Sequence, residues 1–184
     1  MQKSFKEVTM KEIVTKTGLS KGAFYHYFAS KEQLFNEVID TYYATFFEID
    51  YSQFNQDSLY EFYHDELNYM ENEIKEVNRG LASKSIINTL NFYLLIFDAI
   101  RLVPGFQKRI TEMNRREMEG WTKVIGTARK NGEIKSIMTD DQIAKIFVHT
   151  NDGIGIHGIM LGQIDTLRVN LLDIWDSFYE VLKS

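Results

Sequence analysis

The 184-residue sequence predicts an all-α protein, and three observations carry that prediction. Apolar residues recur at spacings of three and four along most of the chain. No stretch sustains the period-two alternation of a strand bounded by hairpin turns. Proline occurs once and glycine 11 times, too few for a turn-rich β fold or a disordered chain. The length suits one helical domain, or a small one joined to a larger.

Local signals mark each element in turn. Thr9 can cap a first short helix from about Met10 to Lys16, and Gly18 ends it. Ser20 caps a second, from Lys21 to Phe28. Ser30 and Gln33 have capping-box spacing and open a longer helix through Leu34, Val38, Tyr42 and Phe46. Leu59, Phe62, Leu67, Met70, Ile74 and Val77 then repeat at helical spacing, followed by a helix from about Ser83 to Leu102. Pro104 and Gly105 break the chain. Ile110, Met113, Trp121, Val124 and Ile125 mark the next helix, which "KNGEI" stops. Thr139 or Asp140 starts one that reaches about Leu161, and Thr166 starts the last, striped by Leu167, Leu171, Ile174, Trp175, Phe178 and Leu182.

Composition narrows the function. Without cysteine, disulfides, thiolate metal sites and cysteine nucleophiles are all excluded. The opening "MQKSFKEVTM" lacks the apolar core of a signal peptide, and the longest apolar run, "FYLLIF", is far shorter than a membrane span. A cytoplasmic, unexported chain with no membrane partner is expected. The formal charge of −5 is unevenly placed. The first 31 residues hold Lys3, Lys6, Lys11, Lys16, Lys21 and Lys31 against Glu7 and Glu12, so a basic head precedes an acidic body.

The segment "MKEIVTKTGLSKGAFYHYF" has the parts of a helix-turn-helix: two short helices, a glycine at the turn, and lysines on one face. Ile13, Val14, Leu19, Phe24 and Phe28 can share a small core, while Tyr27 suits core or groove equally. Lys21, Gly22, Ala23, Tyr25 and His26 remain for an outward surface that is slim at its start and rich in donors, which suits phosphate oxygens and base edges in a major groove.

The longer stretch "VTMKEIVTKTGLSKGAFYHYFASKEQLF" resembles the DNA-binding signature of the TetR (tetracycline-repressor-like) transcriptional regulators. The order and spacing of more than a dozen positions agree. The resemblance implies phosphate contacts from Thr9, Tyr25 and Lys31, and base or groove contacts from Lys21, Gly22, Ala23, His26 and Tyr27. "ARKNGEIK" is similar to the segment before the family's penultimate helix, and "NDGIGIHGIMLG" to that helix itself. In the family a complete amphipathic helix precedes the part matching "MQKSFKEVTM", so that helix is expected to be truncated or absent here. The resemblance therefore implies a helix-turn-helix DNA-binding domain with its linking helix over residues 1–47, and a ligand-binding and dimerisation domain over 48–184.

Within the body, Phe-, Tyr- and Met-rich helices carry scattered polar groups suited to an apolar pocket with a few orienting hydrogen bonds. The expected ligand contacts are Tyr60, His64, Asn68, Asn88, Asn91, Asp98, His149 and Asp152. Asp98, within "FYLLIFDAIRLV", is either half of an internal ion pair or the anchor of a cationic ligand. The last two helices are expected to supply a four-helix homodimer bundle through Phe147, Ile154, Leu161, Leu171, Trp175 and Phe178.

These readings converge on a homodimeric, one-component regulator, a repressor in the family's usual sense, released from double-stranded operator DNA by a small-molecule effector. The alternative is a dimeric small-molecule-binding protein of the same fold that no longer binds DNA. An enzyme is not expected, nor any cofactor. Glu61 and His64 have the Glu-x-x-His spacing of di-iron bundles, yet no second copy occurs. His149, Asp152 and His157 share a helix but are read as ligand or interface groups before metal ligands.

Overall fold

The computed structural model describes residues 5–79, 87–163 and 166–183, with side chains except those of 42–47, 74, 77–79 and 87–92. Within these residues the fold is all-helical: α1 (Met10–Thr17), α2 (Lys21–Tyr27), α3 (Lys31–Phe47), α4 (Leu59–Arg79), α5 (Ile87–Leu102), α6 (Phe106–Lys130), α7 (Asp140–Leu161) and α8 (Leu167–Lys183), with a 3₁₀ turn at Tyr51–Gln53. The expected start of the fifth helix at Ser83 lies outside the described residues.

Caps set the boundaries of the head. Thr9 and Glu12 form a reciprocal capping box, the Glu12 amide donating to Thr9 Oγ1 at 3.3 Å and the Thr9 amide to Glu12 Oε2 at 2.9 Å. Gly18 ends α1 in the left-handed conformation at φ 69°, which a residue with a Cβ adopts at a cost. Ser20 Oγ accepts from the Ala23 amide at 3.1 Å to start α2. Ser30 caps α3 through the Gln33 amide, but Gln33 Oε1 takes the amide of Ala29 rather than that of Ser30, so the expected box closes one residue early.

The body is centred on stacked rings. Trp121 of α6 lies over Phe147 of α7 at 4.7 Å, and Trp175 of α8 meets both edge-on. Tyr63 and Phe62 of α4 close the cluster. These side chains are fully or almost fully buried, and each such ring removed from water stabilises the fold by about 2–3 kcal/mol. Phe147, Leu171 and Trp175 were expected at a dimer face. Their side chains instead fill this internal core, because α6, α7 and α4 leave no outward path for them.

A distant carboxylate starts α4. Glu133, in the loop after α6, accepts from Ser58 Oγ at 2.9 Å and from the amides of Leu59 and Tyr60 at 3.0 and 3.1 Å, and also takes the Tyr179 hydroxyl at 2.9 Å. Three helices are thereby fixed through one charged group, which favours the positive end of α4. Arg129 organises the same loop from the other side, donating to Ser136 O, Met138 O and Asp140 Oδ1.

A second apolar cluster joins head to body. Phe35 and Ile39 of α3 pack with Ala99 of α5 and Phe106 of α6, and Phe5, Leu95, Ile96, Val103 and Ile110 close around them. Arg109 pairs with Asp40 across the same joint. No described helix is long and apolar enough to cross a membrane.

Candidate functional site

The outward face of the head is built by α2. Phe24 is buried, with only 1% of its surface exposed, and touches Phe28 at a ring separation of 5.4 Å. That anchor turns the rest of the short helix to solvent. Lys21, Gly22, Tyr25, His26 and Tyr27 are exposed, and Ala23 is half-buried. Tyr27, read as suiting core or groove equally, is 66% exposed and so is not in the head's core. A Cβ placed on Gly22 would meet nothing within 4 Å, so this corner of the helix is open to close approach. Leu19, expected in the small core, is exposed instead, since it lies in the turn between Gly18 and the α2 cap Ser20.

The two flanking positions are engaged within the protein. The Thr9 hydroxyl donates to Glu12 Oε2 at 3.0 Å while accepting the Glu12 amide. The Lys31 ammonium donates to the carbonyls of Phe5 and Val8 at 2.7 and 2.9 Å and lies 4.3 Å from the centre of the Phe5 ring. Lys31 thus ties the N-terminal segment to α3. An ammonium has three donors, and described partners take two.

The expected ligand contacts do not gather in one place. Tyr60 and His64 stack at 4.2 Å on a face of α4 that turns toward α8, where Tyr60 meets Tyr179 and Asn68 accepts from Arg168. Asp98 belongs to the head–body joint: its carboxylate accepts from the Phe5 amide at 3.3 Å and lies 3.7 Å from Arg101. The ion-pair reading of Asp98 therefore fits the geometry, and the ligand-anchor reading does not. The side chains of Asn88 and Asn91 lie outside the described residues. His149 and Asp152 are exposed on α7, and the imidazole beside Asp152 partly offsets the upward push that desolvation gives its carboxyl.

Two groups that sequence reasoning passed over occupy the interior. Glu66 of α4 is only 2% exposed and its Oε2 has no hydrogen-bond partner among the described residues. Glu117 of α6 is half-buried, accepts a hydrogen bond from the Tyr51 hydroxyl, and has its carboxyl pushed up to about 7 by burial and by Asp152. Burial and the neighbouring Glu117 raise Glu66 well above the usual carboxylate range. A signal was present. Both glutamates fall on apolar stripes, Glu66 one turn after Phe62 and Glu117 one turn before Trp121.

Two short helices around a glycine turn, an exposed donor-rich second helix, and a helical body joined through a packed hinge define a helix-turn-helix regulator. The comparisons point the same way. Residues 1–38 match the family model of the bacterial regulatory proteins, tetR family. The chain is 25% identical over 172 residues to the uncharacterized HTH-type transcriptional regulator YfiR of Bacillus subtilis (strain 168), across 83% of this chain and 71% of that one. Among solved structures, a TetR/AcrR family member superposes with a TM-score of 0.55 at 16% identity, over 95% of this chain and 88% of that one. The reduced form of Escherichia coli NemR superposes at 0.51 with 17% identity, over 95% and 89%. These structural likenesses bear on the fold. The match over residues 1–38 gives the chain the N-terminal head of a tetR-family protein.

Proposed function

We propose that residues 1–47 form a DNA-binding domain that reads a near-palindromic operator, and that residues 48–184 form a dimerisation and effector-binding domain whose ligand releases the DNA. The exposed face of α2 carries this reading. Lys21, Gly22, Ala23, His26 and Tyr27 face a major groove, and Tyr25 and the remaining Lys31 donor meet phosphates. A phosphate contact from Thr9 requires its hydroxyl to leave Glu12. The regulator acts in the cytoplasm, as an apparatus for repression in the family's usual sense.

Dimerisation falls to the outer faces of α7 and α8. Ile156, Met160, Leu161, Val169, Ile174 and Val181 are exposed there, Met160 by 75% of its surface. A cleft of about 240 Å³ runs between the two helices, lined by Ile154, His157, Leu161, Leu167 and Ile174 among others. Exposed apolar residues on two adjacent helices favour a twofold-related copy as their cover.

Effector release runs through the joint. Occupancy of the body shifts α5 and α6, and Phe35, Ile39 and Asp40 carry that shift to α3 and the heads. A gel shift on the DNA flanking the gene, at about 0.1 M salt, tests the reading; salt is fixed because phosphate contacts dominate affinity. Specific retardation is expected. Equal binding to unrelated DNA, or none, favours the alternative of a ligand-binding dimer without operator recognition.

A further inference from the structure

We propose that the interior of the body around Glu66 and Glu117, with Asp152 at its solvent-facing edge, is the effector site, and that it takes an organic cation, an amine or amidine bearing N–H donors on an apolar or aromatic frame. This deepens the proposed regulatory reading and rests on it for the consequence of binding, though not for the binding itself.

Packing brings the carboxylates together. The rings of Phe62 and Trp121 meet at 5.0 Å, so the adjoining turns of α4 and α6, which carry Glu66 and Glu117, face one another. Two glycines let phenol side chains come close to α6 and α7 beside these carboxylates. A Cβ on Gly120 would come within 2.7 Å of Tyr51 Cβ, and only the bare Cα admits the ring whose hydroxyl bonds Glu117. A Cβ on Gly155 would come within 2.6 Å of the Tyr93 hydroxyl, one helical turn beyond Asp152. The site therefore has carboxylates from α4, α6 and α7, and phenols from α5 and the 3₁₀ turn.

The unmatched charge selects the ligand. Among the described residues no lysine or arginine pairs with Glu66 or Glu117, and Glu66 Oε2 has no partner at all. An unpaired buried carboxylate costs several kcal/mol unless it binds a proton or a cation. Burial raises the carboxyls of both glutamates above their ordinary range, in the direction that this cost demands. An incoming ammonium or amidinium group replaces the proton, and its N–H donors meet the unpartnered carboxylate oxygen. A metal fits less well, since no three described His, Asp or Glu side chains are placed to ligate one.

Calorimetric titration of the full chain at pH 7.5 with 1-naphthylmethylammonium and its neutral isostere 1-naphthylmethanol tests the site. The ammonium should bind saturably and at least tenfold more tightly than the alcohol. Glu66→Gln and Glu117→Gln should each weaken the ammonium tenfold or more and leave the alcohol within twofold. Asp152→Asn, at an exposed position where folding is safe, should weaken the ammonium about threefold. No saturable ammonium binding, equal affinity for the alcohol, or unchanged ammonium affinity in all three variants overturns the proposal. Operator binding by ligand-free protein is measured separately. Retained DNA binding with no ammonium binding sinks this site alone, and the reverse result sinks the regulator reading alone.

Discussion

The Phe5 amide donates to Asp98 Oδ2 at 3.3 Å, joining two residues 93 positions apart. This bond ties the segment before α1 to α5, and Phe5 packs on Phe35 of α3 at 4.6 Å beside it. The head is therefore held to the body at two levels, by an apolar joint and by a charged acceptor. A hydrogen bond to a partly exposed charged group contributes about 1 kcal/mol. Asp98→Ala should lower the unfolding free energy by roughly that amount. Its larger effect should be on coupling, with effector still binding but releasing operator less completely. Full release by the variant would remove Asp98 from the coupling path.

Lys21 and Lys31 should separate cleanly by substitution. Lys21 is exposed, whereas Lys31 holds the carbonyls of Phe5 and Val8. Lys21→Ala and His26→Ala should leave the melting temperature within a degree or so and change which operator bases are preferred. Lys31→Ala should weaken binding to all sequences alike and also cost roughly 1–2 kcal/mol of stability, the usual cost of losing charged hydrogen bonds. The check is a competition assay against single-base operator variants alongside a urea melt. Equal loss of stability in Lys21→Ala and Lys31→Ala would contradict the division of roles.

Glu117 should give the ligand-free protein an inverted pH dependence. Its carboxyl stands at about 7 when folded against an ordinary 4.5, so the folded state holds extra protons between those values. Stability is then greatest at the acid end of that window and falls as pH rises through it, by on the order of 2–3 kcal/mol. Glu66 adds in the same direction. Carboxylates with lowered values, such as Glu112 at about 2, act only at more acid pH. Urea midpoints at pH 5, 6, 7 and 8 should decline, and Glu117→Gln should flatten the decline. A midpoint that climbs over this range would rule the account out.

At the α7–α8 face, Met160→Glu combined with Ile174→Glu should yield folded monomers by sedimentation. Trp175→Glu should instead unfold the chain, because the indole is buried in the core and a charge there has no partner. A folded monomeric Trp175→Glu variant would show that the indole lies at the interface after all.

Local signals in the sequence were strong where chemistry acts over a few residues. Thr9, Gly18, Ser20, Ser30 and Thr139 marked helix ends, and each sits at such an end. Which face of a helix meets which partner was less legible. Phe147, Leu171 and Trp175 looked like an interface stripe, since an apolar stripe reads the same whether its cover is the same subunit or another copy. Tyr60, His64 and Asn68 are polar residues on the face that meets α8, where polarity is ordinary. Glu66 and Glu117 are charged residues on stripes that meet the core, which is the rarer pattern and the more informative one. Asp98 was legible as half of an ion pair, because Arg101 stands one turn on, but its bond to the Phe5 amide was not, because no spacing rule reaches 93 residues.

The central claim is that a twofold pair of these heads reads DNA, and selection from a random duplex library at about 0.15 M salt tests it most directly. The account predicts enrichment of a near-palindrome whose half-sites lie about one helical turn, or a multiple of it, apart, and loss of the enrichment with Lys21→Ala. Enrichment of no sequence, or of a single asymmetric site that Lys21→Ala leaves unchanged, would contradict it.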